Sequence, residues 1–154
     1  MQFKQINNEN PIAQVIKSAF DTELPLSGGW GYQQETATVI EKNEQAIPLS
    51  QLEHMLASMR AYLEMNMTLD ASERYGSINL NELSREHIKE NHKHFDKVTY
   101  EISAIKEDIY AAFINEYKEG YGKEGFDLQK HFKQRKEETL TRVVIYWFNI
   151  SQIV

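Results

Sequence analysis

Apolar and polar positions alternate most clearly at the end of the chain. From Thr139 to Ile150 one face presents Thr139, Thr141, Val143, Ile145, Trp147 and Asn149; the other presents Leu140, Arg142, Val144, Tyr146, Phe148 and Ile150. A repeat of two is the signature of a strand. Both faces are apolar at the centre, whereas a strand with one wet face shows polar residues on it. The pattern therefore predicts a central strand sheltered on both faces, by helices on each side or by a second subunit. Such a length is unusual for one strand, so a bend or bulge is expected within it. Residues 97–105 also alternate, with Val98, Tyr100, Ile102 and Ala104 opposite Thr99, Glu101 and Ser103. Residues 36–41 (Thr-Ala-Thr-Val-Ile-Glu) are rich in β-branched side chains and predict another strand. Residues 75–80 are a candidate fourth.

Helical spacing appears elsewhere. In 10–21, Ile12, Val15, Ile16, Ala19 and Phe20 recur at helical intervals behind Asn10 as cap and Pro11 at the first helical position. In 50–67, Leu52, Met55, Leu56, Met59, Tyr62 and Leu63 make one apolar face. Ser50 and Glu53 have capping-box spacing there, with Leu49 as part of a hydrophobic staple. Residues 68–80 read as irregular. A helix is expected from Asn79 or Asn81 to about Phe95, although Leu83, Ile88 and Phe95 form no continuous stripe. Helices follow at 107–119, ending near Gly120, and at 127–136, with Asp127 as cap. The expected fold is α+β: one domain over 1–154, with a small, mostly antiparallel sheet of three or four strands. The C-terminal strand is central in it, and two or more helices pack on it, chiefly 50–67 and 107–119.

Composition narrows the classes. A chain of 154 residues is one ordinary domain and buries a sizeable core without covalent staples. There are no cysteines, which removes disulfides, thiolate nucleophiles and thiolate metal sites and fits a reducing compartment. No apolar run suits a secretory leader or a membrane span, so a cytoplasmic protein is expected. The formal charge is −6. It is uneven: residues 1–75 carry five Lys/Arg against ten Asp/Glu, and residues 76–154 carry twelve against thirteen. Such a field disfavours nucleic acid and speeds encounter with a basic partner.

The glycines concentrate the candidate chemistry. Gly28, Gly29 and Gly31 enclose Trp30 and are followed by Tyr32 and Glu35. A glycine cluster holding two aromatics marks a shaped turn, used for binding or for packing. As a binding loop it would offer backbone amides with the faces of Trp30 and Tyr32; as a structural turn it would plug Trp30 into the core. It lacks the Lys-Ser/Thr pair of a phosphate loop. Gly120, Gly122 and Gly125 match the spacing of a dinucleotide loop, but they leave a helix rather than a strand and read as a helix stop. His87, His92 and His94 lie near Glu86, Glu90 and Asp96, yet neither helical nor strand spacing brings all three together without a turn, so no metal is expected. Lys130 to Lys136 is the basic cluster, balanced at once by Glu137 and Glu138, and reads as a solvated helix face. No Gly-x-Ser-x-Gly elbow or zincin helix occurs.

The leading expectation is an acidic, non-enzymatic binding or inhibitory protein that masks a basic surface on a macromolecular partner, without a cofactor. In size and charge it is similar to immunity proteins and phage-encoded inhibitors, an analogy at that level alone. Gly28, Gly29, Trp30, Gly31, Tyr32 and Glu35 are the expected contact residues. The first alternative is a small-molecule-binding protein or enzyme with its pocket beside the Gly28–Tyr32 turn, lined by Tyr32, Glu35 and the histidines near residue 90. The second is a structural homodimer.

Overall fold

The computed structural model describes every residue except Gln45. Four helices, α1 (Ile12–Phe20), α2 (Leu49–Thr68), α3 (Glu107–Gly120) and α4 (Leu128–Glu137), accompany five strands: β1 (Leu26–Gly28), β2 (Thr38–Ile40), β3 (Tyr75–Glu90), β4 (Lys93–Lys106) and β5 (Leu140–Asn149). The strands form one sheet in the order β1-β2-β5-β4-β3. The α+β class holds. The sheet, however, has five strands rather than three or four, and β2 runs parallel to β5 while the other pairings are antiparallel. Among the described residues no helix is long and apolar enough to cross a membrane.

The expected helix from Asn79 or Asn81 to Phe95 is instead most of β3, a turn at Asn91-His92, and the start of β4. Its apolar residues make no helical stripe because β3 is the outer strand, exposed from Asn81 to His87. Only its pairing with β4 organises it, and Asn91 and His92 take positive φ in the two-residue turn. Two register shifts in β3, at Gly76/Asn79 and Glu82/Ser84, interrupt the period that would have revealed a strand.

One layer covers the sheet. Helix α2 lies across the face formed by Val98, Tyr100, Ile102, Tyr146 and Phe148, joined by Ile12 and Ile16 of α1. These side chains are buried, at roughly 1.5–3 kcal/mol for each large apolar group removed from water. The capping box expected at Ser50 and Glu53 is not made. Helix α2 begins at Leu49 behind Pro48 with no side-chain cap, and Glu53 is drawn inward instead. Asp127 does cap α4, accepting a hydrogen bond from the Lys130 amide at 3.0 Å.

On the opposite face β5 is not covered by helices of this chain. It is the middle strand, and the chain itself shelters only one of its faces. Val143 and Ile145 on the other face are 61% and 40% exposed. Registers place Trp147 beside Lys97, Ile145 beside Thr99 and Val143 beside Glu101 on that face. Helices α3 and α4, inserted between the adjacent strands β4 and β5, cover only its far end. There Tyr110 packs against Gly76, which pairs with the buried Ile105.

Candidate functional site

The glycine turn is built into the core. Gly31 has φ +78°, and a Cβ there would lie 2.3 Å from two ring carbons of Tyr146. Its carbonyl accepts the Trp147 amide at 2.8 Å, which continues the sheet. Trp30, 7% exposed, packs in the core. The guanidinium of Arg60 on α2 lies between the rings of Tyr146 and Tyr32, 4.1 and 4.5 Å from their centroids. It donates to the carbonyls of Trp30 (3.1 Å) and Ile145 (2.9 Å). The Tyr32 hydroxyl donates to Glu64 at 2.7 Å and accepts the Ile6 amide at 3.0 Å. Burial pushes the Tyr32 hydroxyl well above its ordinary value and raises the Glu64 carboxyl; the Tyr32 hydrogen bond and nearby Arg60 partly counter the shift at Glu64. Trp30 and Tyr32 are therefore spent on holding the turn to α2. Of the expected contact residues, Trp30 lies in the core and Tyr32 is half-buried beside Arg60 and Glu64.

Two concavities flank the turn. One, about 300 Å³, is bordered by Gly29, Trp30 and Tyr32 with the N-terminal segment at Gln5 and Ile6. The other, about 320 Å³, opens on the uncovered side of the sheet between Gly28, Glu35 and Val39 and the β3–β4 turn at Glu90, Asn91 and Lys93. Of the residues expected at one site, Tyr32 and Glu35 thus face different hollows. No histidine borders either one.

The histidines belong to a separate cluster on the covered side of the sheet. His87 Nδ1 is 3.0 Å from Asp96 Oδ1, and His87 Nε2 is 3.1 Å from His94 Nδ1. His87 thus bridges Asp96 and His94 through its two ring nitrogens. Arg85 joins Asp96 (3.3 Å) to Glu53 (2.5 Å) and to Glu82 (2.7 Å). Burial raises the Glu53 carboxyl to about 8; the Asp96 carboxylate hydrogen-bonded to it adds to the shift and Arg85 opposes it. Glu53 Oε2 has no donor among the described residues, as fits a carboxyl that keeps its proton. His92 lies in the turn, His54 Nε2 meets the Leu80 carbonyl at 3.0 Å, and His131 is buried in the α3–α4 hairpin between Phe113, Tyr117 and Phe126. No group of three or more metal-ligating side chains that could hold an ion occurs among the described residues.

The basic segment contributes one face of α4. His131 points inward, Phe132 outward, and the Arg135 guanidinium lies 5.5 Å from the Tyr110 ring centroid. Gly120, Gly122 and Gly125 lie at or beyond the end of α3, far from any strand exit.

The surface that sequence reasoning missed is the uncovered sheet face. Val143, Ile145 and Trp147 form its apolar centre, with Lys97 5.2 Å from the Trp147 ring centroid. Its acidic groups are Glu86, paired with Lys97 on the outer strand, Glu101, and the Glu35 and Glu90 of the adjoining hollow. The signal was present in the same alternation: Thr99, Glu101 and Ser103 make the neighbouring row of β4 polar, which an interior layer would not tolerate unpaired. Comparison with protein-family models, curated proteins and solved structures gives no match.

Proposed function

We propose that this chain is a non-enzymatic binding or inhibitory protein that masks a basic surface on a macromolecular partner, with the uncovered sheet face as its contact surface. The observation that carries the reading is the exposure of Val143 and Ile145 on the innermost strand of a five-stranded sheet. Exposed apolar side chains grouped within a polar border are typical of interaction sites. The acidic groups on and beside the face, Glu35, Glu86, Glu90 and Glu101, outnumber Lys93 and Lys97, and the whole chain carries −6. That charge favours a basic partner through faster encounter and rejection of acidic competitors. The enzyme reading loses support because Tyr32, Glu35 and the histidines do not share a cavity.

The test is capture by immobilised wild type and by a Val143→Glu/Ile145→Glu variant at low and raised salt. A basic protein retained by the wild type, lost by the variant and bound more slowly as salt rises supports the reading. A partner that binds both forms equally refutes the assignment of the face.

A second reading, the homodimer, is favoured by one feature. Lys97 and Glu101 lie equally spaced on either side of Thr99, as Trp147 and Val143 do about Ile145. A two-fold axis through Ile145, perpendicular to the strands, would set each Lys97 against Glu101 of the other copy and each large Trp147 against a small Val143. Light scattering that returns twice the chain mass, abolished by the same double variant, would establish it.

A further inference from the structure

The hollow between the glycine turn and the β3–β4 turn has features that the apolar centre of the face lacks. The row Val39, Asn149, Phe95 crosses three strands at the end of the uncovered face and forms its floor. Phe95 meets Trp147 edge-on, with ring centroids 6.3 Å apart, so the hollow is continuous with the apolar centre. Gly28, at φ +78°, forms one wall without a side chain. Glu35, from the glycine-turn segment, and Glu90, from the β3–β4 turn, also line it. The Glu90 carboxylate accepts from the Gln34 side-chain amide at 3.1 Å. Among the described residues neither Glu35, Glu90 nor the nearby Lys93 has an ion-pair partner within 4.0 Å.

We infer that this hollow receives an arginine side chain of the basic partner, its guanidinium held between Glu35 and Glu90 above the Phe95 ring. The inference rests on the binding reading above and names the chemistry of its anchor. A guanidinium is planar, sheds water more readily than an ammonium, stacks on aromatic faces and pairs two-pronged with carboxylates. Lysine offers a compact, strongly hydrated charge instead, and Lys93 already supplies one at the rim. An arginine beside a buried aromatic and an apolar centre is the arrangement expected of an interface hot spot. At about 320 Å³ the hollow is at the small end for a ligand site and suits one side chain.

The experiment titrates the full isotopically labelled chain at low salt with three capped tripeptides, Gly-Arg-Gly, Gly-citrulline-Gly and Gly-Lys-Gly, and follows the amide and indole resonances. The arginine peptide should move the signals of Gln34, Glu35, Asn91 and the Trp147 indole. Glu35→Gln/Glu90→Gln, two exposed substitutions that leave the core intact, should weaken it at least about tenfold, the scale of one lost charge-assisted contact. Equal shifts with citrulline, equal affinity for lysine, or undiminished binding by the Gln variant each overturn the inference. The face variant Val143→Glu/Ile145→Glu separates the two levels of the account. If it loses the captured basic protein while Glu35→Gln/Glu90→Gln retains it in full, the arginine anchor is wrong and the binding reading stands. If both variants retain the protein, the binding reading fails.

Discussion

Glu53 offers a quantitative test of the packing behind the sheet. Its carboxyl is fully buried against Arg85 and Asp96, and burial lifts it from the ordinary 4.5 to about 8. Between those values the unfolded chain releases a proton that the folded chain keeps. Stability therefore falls with rising pH, by roughly 1.4 kcal/mol per unit, until pH passes the folded value. From about pH 6 to about pH 9 this one group accounts for a loss of roughly 3 kcal/mol, a large share of the ~5–15 kcal/mol that holds a domain folded. Glu53→Gln keeps the shape of the protonated acid, retains an oxygen for Arg85 and cannot ionise. Near pH 6 the variant should match the parent to within ~1 kcal/mol. Near pH 9 it should be the more stable protein by ~2–3 kcal/mol. Urea unfolding followed by circular dichroism across this range measures both. Stability curves that fall in parallel for parent and variant would refute the reasoning, since Glu53 would then be ionised in the fold at neutral pH.

Other substitutions separate the two faces of the sheet. Val143→Glu and Ile145→Glu should each change stability by no more than ~0.5 kcal/mol, whereas Phe148→Ala on the covered face should cost ~3–5 kcal/mol by chemical denaturation. Arg60→Met should lose ~3–5 kcal/mol, because it strips the carbonyls of Trp30 and Ile145 of their donors and removes the cation between two tyrosine rings. Gly31→Ala should destabilise by more than ~2 kcal/mol, since it combines positive φ with a Cβ driven into the Tyr146 ring; a melting temperature equal to the parent's would contradict that.

Much of the framework was legible from spacing. The alternation of 98–104 marks the buried row of β4, and the helical stripes of 12–20 and 50–67 correspond to α1 and α2. What escaped was whatever depends on partners distant in sequence. Strand β1 is three residues long and exists through its pairing with β2. Strand β3 carries Glu82, Ser84, Arg85 and His87 because it is an outer strand, and such composition reads locally as a solvated helix. Glu53 has the spacing of a capping residue, but Arg85, 32 positions later, takes it into the interior. For β5, of the two covers expected for its apolar faces, this chain's own helices supply one face only: its position is central, yet Val143 and Ile145 stay exposed within the chain. Likewise, Trp30 and Tyr32 carry no local sign of the Arg60 and Glu64 contacts that hold this turn to α2.

The claim that the bare face of β5 is where a partner docks is tested most directly by methyl NMR with a soluble paramagnetic agent, on the chain alone and with its captured partner. In the free chain the Val143 and Ile145 methyls should relax strongly while those of Val98 and Ile102 are unaffected, and adding the partner should protect the first pair. If Val143 and Ile145 are already shielded in a monomeric free chain, or stay fully accessible in the complex, the account is wrong.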